Sequence, residues 1–267
     1  MMKKDADARP SPVGRLFVAG GHAMLVGCPV HNPPHAHYNA SILLATGKPF
    51  RFGHDGRWVT SNGLLVAPCV TQQLRTADDR VIIMQVDPDR ESYRRFGQRL
   101  HGKPWVEMSP GEHADMVAAL PADDWSPGRA VGFFQRAVDV LAAGAPGPLR
   151  RDPRVERVRK LLIRNLEQPP GVERLARVAA LSVSRLQHLF KQELGLSLSQ
   201  YLLWLRVSRA VQMLERGISL TEAALMAGFS DSAHFSRTFR RMFGLRPSAV
   251  LKDSSSVQVI ILPDAPR

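Results

Sequence analysis

The chain has 267 residues and carries 36 Lys and Arg against 24 Asp and Glu, a formal net charge of +12. Apolar residues make up 44% and charged residues 22%, a balance that excludes wholesale disorder and gives enough length for one large domain or two ordinary ones. No apolar run approaches the roughly 20 residues of a membrane-spanning helix, the N-terminal residues lack the apolar stretch of a secretory signal, and two cysteines exclude a disulfide scaffold or a multi-cysteine zinc module. A cytoplasmic protein with reduced thiols and no membrane association is the expectation. The charge is uneven. Residues 150–252 hold nineteen basic against eight acidic side chains, while the rest of the chain nets only +1. That asymmetry points to a polyanion, nucleic acid first, bound by the C-terminal part; a solubilising surplus is the plain alternative.

Residues 1–14 read as a polar arm. From Arg15 to Val86 the pattern is short strands: RLFVA, HAMLV, ASILLAT, KPFRF, RWVT, GLLVA and RVIIMQV. Asp55-Gly56 and Asn62-Gly63 separate neighbouring strands and suit tight hairpin turns, so a small antiparallel sandwich or barrel is expected. Helical segments follow, SYRRFGQRLH, EHADMVAAL and GRAVGFFQRAVDVLA, punctuated by Pro104, Pro110, Pro121 and Pro127. In the last of them Val131, Phe134, Val138 and Leu141 recur at helical spacing, as core or as a dimer seam. Residues 143–151, rich in Gly and Pro, read as an interdomain linker. Asp152-Pro153 then offers an N-cap with proline at the first helical position. The closing residues 253–267 contain a strand-like VQVIIL, which either docks on a sheet edge or stays loose.

Residues 152–252 contain an internal repeat at an offset of 48 to 49 residues. Ala176 pairs with Ala224, Ala180 with Gly228 and Ser182 with Ser230; after one inserted residue Phe190 pairs with Phe239, Gly195 with Gly244 and Ser199 with Ser248. Each copy reads as a short helix, a tight turn at Ala180-Leu181 or Gly228-Phe229, and a second helix capped by Ser182 or Ser230 and closed by glycine. Ser219 and Glu222 form a capping box ahead of the second copy. This is the helix-turn-helix pattern, twice. Leu186, Leu189, Phe190 and Leu194 form the inward stripe of the first unit's second helix; Phe235, Phe239, Met242 and Phe243 form that of the second. Outward lie Ser184, Gln187, His188 and Lys191 in the first, and Ser232, Ala233, Ser236, Arg237 and Arg240 in the second. Gln and Arg make bidentate contacts with base edges and Ser contacts several bases, while Arg185, Lys191, Arg240, Arg241 and Arg246 suit phosphates. A long helix over 199–216, apolar nearly all round, would hold the two units apart by about one helical turn of DNA, roughly 34 Å.

SVSRLQHLFKQELGLS, YLLWLRVSRAVQML and EAALMAGFSDSAHFSRTFRRMFGLRP resemble the AraC/XylS family of bacterial transcription regulators. The resemblance covers Asp152 to Val250 and rests most on Ala224, Gly228-Phe229, Phe235, Arg237, Phe239, Arg240, Gly244 and Pro247. It implies two helix-turn-helix units on one chain, sequence-specific binding to double-stranded promoter DNA, and contact with RNA polymerase, usually as an activator. By motif position Ser184, Gln187 and His188 fall on base-reading positions of the first unit, and Ser232, Ala233, Ser236 and Arg237 on those of the second. Ala233 is shorter than the polar residues usual there, so readout by the second unit would be thinner.

Residues 15–142 also resemble the family's cupin-like sensing domain, through PPHAHYNASILLATG and GLLVAPCVTQQLR. His35 and His37 supply the His-x-His pair of a cupin metal site, but no carboxylate follows before Asp55, and Gln72 stands where the later histidine would be. Two imidazoles alone make a poor metal site, so no metal or other cofactor is expected. The competing readings for His35 and His37 are an effector pocket at a barrel mouth, shared with Gln72 and Trp58, or a structural role. Trp58 is otherwise a core residue. Cys28 and Cys69 would be a redox pair only if their strands adjoin; inert packing is the alternative.

The fold class expected is therefore α+β with two domains: a cupin-like antiparallel sandwich with flanking helices, then an all-α double helix-turn-helix. The function expected is an effector-responsive, homodimeric, non-enzymatic transcription regulator. A metal-dependent cupin enzyme with a helical appendage and a protein-interaction adaptor are the rivals.

Overall fold

In a computed structural model of the chain, residues 14–19, 22–27, 34–77, 80–122, 124–143, 151–243, 247 and 257–262 are described. Cys28, Gly244, Arg246, most of the arm, most of the 143–151 linker and most of the tail lie outside them, so the redox pairing of Cys28 with Cys69 and the phosphate role of Arg246 are not addressed by the described residues.

The N-terminal half builds two sheets. Strands β1 (Gly14–Ala19), β2 (His22–Val26), β4 (Ala40–Ala45), β7 (Gly63–Val66), β9 (Val81–Val86) and β10 (Trp105–Glu107) join β11 (Val257–Ile261) in a seven-stranded sheet of order β10-β7-β4-β9-β2-β1-β11. Strands β3 (His35–Ala36), β5 (Phe50–His54), β6 (Arg57–Ser61) and β8 (Thr71–Arg75) form a four-stranded sheet, order β3-β8-β5-β6. Alternation of side chains along a strand explains the layering. Leu43 and Ala45 of β4 meet Phe50, Phe52 and Leu74 between the sheets. Ile42 and Leu44 point to the opposite face, under helices α1 (Glu91–Leu100), α2 (Pro110–Ala118) and α3 (Pro127–Ala142). Buried on both faces, β4 reads as a continuous apolar run, as a central strand should.

Several elements differ from the sequence expectation. Asp55-Gly56 closes the β5–β6 hairpin, with φ of 47° and 75° at the two turn residues. Asn62-Gly63 closes no hairpin: it carries the chain from β6 in one sheet to β7 in the other. Strands β3, β8 and β10 were not anticipated. TQQLR hides its period because one of its two buried positions is itself polar, Gln72 beside Leu74, with Thr71 and Arg75 exposed, and WVE is too short for its period to show. In α3 the buried face is Ala130, Phe133, Ala137, Val138 and Leu141, whereas Val131 is 47% exposed. Half of the expected stripe, Val138 and Leu141, lies on that face and Phe134 packs half-buried against it; the face is shifted toward Ala130, Phe133 and Ala137. The tail is docked: β11 runs parallel to β1 at the sheet edge.

The C-terminal half is helical: α4 (Pro153–Arg164), α5 (Val172–Ala179), α6 (Val183–Leu194), α7 (Leu198–Glu215), α8 (Leu220–Met226) and α9 (Ser232–Phe243). Asp152 caps α4 through its carboxylate, 2.8 Å from the Arg154 amide, with Pro153 at the first helical position. Ser197 and Gln200 form a reciprocal capping box on α7. One core, centred on Leu186, Phe190, Tyr201, Trp204, Phe235 and Phe239, unites the helices. Among the described residues no helix is long and apolar enough to cross a membrane.

Candidate nucleic-acid interface

The two copies of the repeat make the same turn. In the first, the Leu181 amide donates to the Ala176 carbonyl and the Ala180 amide to Arg177; in the second, Phe229 donates to Ala224 and Gly228 to Leu225. The Leu181 and Phe229 bonds are the six-to-one closure of a Schellman-type helix end. Its left-handed step falls on Ala180 (φ 53°) in one copy and Gly228 (φ 87°) in the other. Small residues stand where the crossing helices approach: Ala176, Ala179, Ala223, Ala224 and Ala227 are all buried.

The caps correct one assignment. Ser182 accepts from the Arg185 amide and caps α6. On α9 the cap is Asp231, whose Oδ1 lies 2.6 Å from the His234 amide, while Ser230 donates its hydroxyl to the Asp231 carboxylate at 3.0 Å. Ser230 is thus the inserted residue that lengthens the offset from 48 to 49, and the cap had been placed one position early. The expected box ahead of α8 is half made. Ser219 accepts from the Glu222 amide and donates its hydroxyl to the Glu222 carboxylate, in place of the bond from the backbone. The glycine predicted to end α6 does so: Gly195 has φ 69° and donates to the Lys191 carbonyl.

These ends fix the helix phases. On α6, Leu186, Leu189, Phe190 and Leu194 are buried, and Ser184, Arg185, Gln187, His188 and Lys191 are all exposed on the other side. On α9, Phe235, Phe239 and Met242 are buried together with Thr238. Ala233, Arg237, Arg240 and Arg241 are exposed; Ser232 and Ser236 are half-buried. The outward rows inferred from spacing therefore exist on both helices, thinner on α9. Arg206 was not anticipated. It rises from α7 beneath the second turn, where a Cβ on Gly228 would lie 2.9 Å from its Nε, and burial lowers its pKa.

Of the residues expected to share an effector pocket, Trp58 and Gln72 line one cavity, while His35, opposite Gln72 in the β3–β8 register, and His37 are not among its lining residues. Trp58 lies over Gly53 on the outer β5–β6 hairpin, with the guanidinium carbons of Arg51 and Arg75 5.1 and 4.5 Å from its ring centre. It lines a cavity of about 170 Å³ with Gln72 and His54. His35 and His37 meet each other instead, Nε2 to Nε2 at 2.9 Å. His37 is buried and its Nδ1 donates to the carbonyl of Met242, in the last turn of α9; the Gln85 amide lies 2.9 Å from the same nitrogen. Burial, and then the neighbouring His35, lower the His37 pKa to about 4. Among the described residues no three His, Cys, Asp or Glu side chains gather as a metal site. Cys69 packs against the helical core, and burial pushes its thiol pKa up.

The two halves meet along further contacts. Asp89, at the start of α1, accepts from Tyr201 Oη at 2.7 Å and from Arg159 at 3.0 Å. At Gly195 a Cβ would come within 2.9 Å of Tyr93 Oη, so the end of α6 abuts α1 closely.

Comparison with known proteins agrees with this geometry. A family model described as a helix-turn-helix domain matches residues 175–253. The transcriptional regulator GbdR of Pseudomonas aeruginosa is 33% identical over 116 residues, 43% of this chain and 32% of that protein. An AraC-type DNA-binding domain of a regulator from Chromobacterium violaceum is 36% identical across 86% of its own length and 36% of this chain, with a TM-score of 0.34. ToxT of Vibrio cholerae, solved with an unsaturated fatty acid bound, superposes over 84% of this chain and 92% of its own, with a TM-score of 0.51 at 12% identity; that likeness is of fold alone. The chain spans about a third of the length of the first curated relatives it matches. With a duplicated turn, matched caps and these curated relatives, residues 175–253 form a helix-turn-helix domain of the AraC type, shared with these transcription regulators.

Proposed function

We propose that the protein is an effector-responsive, homodimeric regulator of transcription in the cytoplasm, with residues 15–142 as sensing domain, 143–151 as linker and 152–252 as DNA-binding domain. In this reading α6 and α9 enter successive major-groove segments of promoter DNA. Ser184, Gln187, His188, Ser232, Ala233, Ser236 and Arg237 face bases; Arg185, Lys191, Arg240, Arg241 and Arg246 meet phosphates. The observation that carries it is the pair of outward rows on helices with buried opposite faces and equivalent turns. A small molecule held by the N-terminal half would bias the arrangement of the two halves. The junction of His37 with Met242, and of Asp89 with Arg159 and Tyr201, is the physical coupling available to it. His35, His37, Gln72 and Trp58 remain its proposed contacts. The exposed Val131 on α3 supports a dimer seam, and RNA polymerase is the proposed downstream partner.

Selection of bound DNA from a random pool at near-physiological salt tests the reading. A motif with two half-elements about one helical turn apart is the expected result. Recovery of unselected sequence, with and without candidate effectors, leaves only electrostatic attraction and overturns it. On the selected site Arg237→Ala should cost about 1–3 kcal/mol and relax preference at one base position. Arg240→Ala should weaken selected and random DNA alike. Equal losses on both DNAs for both variants would remove Arg237 from the base-reading set.

A further inference from the structure

The chain leaves the sheet half after α3, builds the helical half, and returns. Strand β11 comes after α9 in sequence yet lies in the N-terminal sheet. It pairs with β1 in parallel from Gly14 opposite Val257 to Val18 opposite Ile261. The Leu262 amide adds a bond to the Val18 carbonyl at 2.8 Å, and the Leu262 side chain, 5% exposed, joins the core formed by Phe17, Met24 and Val138. Parallel neighbours always need a crossover; here the crossover is the rest of the molecule.

The strand that accepts β11 is also the one that touches the helical half. Phe17 points into the core beneath α3, while Leu16 and Val18, on the other face of β1, cluster with Ala23, Leu25, Val211 of α7 and Phe243 of α9. One residue earlier on α9, the Met242 carbonyl takes the hydrogen bond from His37. The C-terminal end of the second recognition helix therefore rests on β1 and β3. The chain that leaves this end comes back as β11 to the edge of the same β1.

From this we propose that the edge of β1 is an acceptor for the chain's own C-terminal strand, and that β11 is a strap holding α9 against the sensing sheet. The chain then ties its two halves at both ends, through the 143–151 linker and through the strap. The edge specificity would come from backbone pairing, with Leu262 as the side chain that seats it, as in other strand-addition interfaces. Because the strap is tethered to α9 by only thirteen residues, 244–256, its effective concentration at β1 is high, and a free peptide would need roughly millimolar concentration to replace it. The inference rests on topology and packing, and stands whether or not α9 reads DNA.

The test compares the full chain with a chain ending at Ser256, by amide hydrogen exchange and limited trypsin digestion. Loss of the strap should speed exchange in the last turn of α9, residues 239–243, by about tenfold or more, which is the local-opening behaviour of an element that has lost its docking contact. Cleavage after Arg150 in the linker should speed up as well, and exchange in α6 should stay as it was. A synthetic peptide of residues 255–267 added at millimolar concentration should restore the slower rates. Unchanged α9 and linker rates in the shortened chain overturn the proposal. Should the shortened chain not fold, a second variant decides. Arg15→Cys and Gln258→Cys, opposite each other in the β1–β11 register, are introduced with Cys28 and Cys69 replaced by Ser. Mild oxidation should close a disulfide within one chain, leaving α9 exchange as slow as in the parent or slower. Absence of the bond, or a cross-linked dimer as the product, overturns the intramolecular strap.

Discussion

Ala180 and Gly228 hold the same step of the repeated turn, and at both the backbone disfavours a Cβ. Ala180 sits at φ 53°, where an L-residue with a Cβ is strained by roughly 1 kcal/mol. Ala180→Gly should therefore stabilise the helical half by up to about 1 kcal/mol, less what glycine gains in the unfolded chain. Gly228 has the same backbone problem at φ 87° and a second one, since its Cβ would meet the Arg206 guanidinium. Gly228→Ala should destabilise by about 1–3 kcal/mol; urea denaturation of both variants reads the two signs. His37 sets a pH dependence at the same scale. Its folded pKa is about 4 against 6.5 for the free group, so the unfolded chain takes up the proton first. The stability that depends on neutral His37 is complete above pH 6.5 and is lost as pH falls through about 4, with roughly 3 kcal/mol at stake. The physical cause is explicit: protonation puts a second proton between Nε2 atoms of His35 and His37 that are 2.9 Å apart, in a site closed by Gln85 and Met242. Glu112 and Glu156, each held at about 2 chiefly by an arginine hydrogen bond, lose their contribution in a lower window, from about pH 4.5 downward. Denaturation midpoints between pH 7 and pH 4.5 should therefore decline in the parent and flatten in His37→Asn, whose amide keeps a donor for Met242; equal slopes would exclude His37 as the source.

At the scale of elements, the helix ends carry the specification of the second unit. Asp231, not Ser230, takes the free amide of α9. Asp231→Ala should lower the thermal midpoint by roughly 2–4 °C and Ser230→Ala by less, since Ser230 only supports the carboxylate. The reverse order in calorimetry would restore Ser230 as the cap. The helical half was legible in the sequence because its signals are local and redundant. Period, the caps of α4 and α6, the glycines at positive φ and the repeat agree, and the insertion of one residue between Phe229 and Asp231 accounts for the cap of α9 falling one position later than expected. The sheet half was legible only in part. Asp55-Gly56 and Asn62-Gly63 look alike as dipeptides, yet one joins neighbours in a sheet and the other joins two sheets; which strand pairs with which is decided by packing far along the chain. β8 and β10 lacked a visible period, one because its buried position Gln72 is polar and the other from its length. The α3 stripe held at Val138 and Leu141 and missed Ala130, Phe133 and Ala137, because the two alanines carry little hydrophobic signal in a pattern. The faces of α6 and α9 needed only helix phase, and so could be read; the meeting of His37 with Met242 joins residues 205 apart and could not.

At the scale of the molecule, the polar knot around Asp89 decides whether the two halves unfold together. Its carboxylate, 7% exposed, is met by Arg159 at 3.0 Å and Tyr201 Oη at 2.7 Å, with Arg151 at 3.9 Å. Glu156 pairs the same two arginines from the helical side, at 3.1 Å from Arg151 and 2.7 Å from Arg159. Buried pairs of this kind add little net stability over an apolar contact, but removing one partner leaves the others uncompensated. Asp89→Ala should therefore cost about 2–4 kcal/mol, at the low end of what breaking a buried pair costs because Glu156 retains part of the compensation. The loss falls on the contact between the halves and not within either core, since Asp89 belongs to the sheet half, Arg159 to α4 and Tyr201 to α7. Calorimetry of the parent should show one cooperative transition. In Asp89→Ala the transition should split, with the helical half melting first and the sheet half keeping most of its own midpoint. Asp89→Asn, which keeps an acceptor for Tyr201 and removes the charge, should fall between the two. A single transition shifted down as a whole would mean that Asp89 stabilises the sheet half itself. The apolar contacts of Leu16 and Val18 with Val211 and Phe243 would then be what joins the halves.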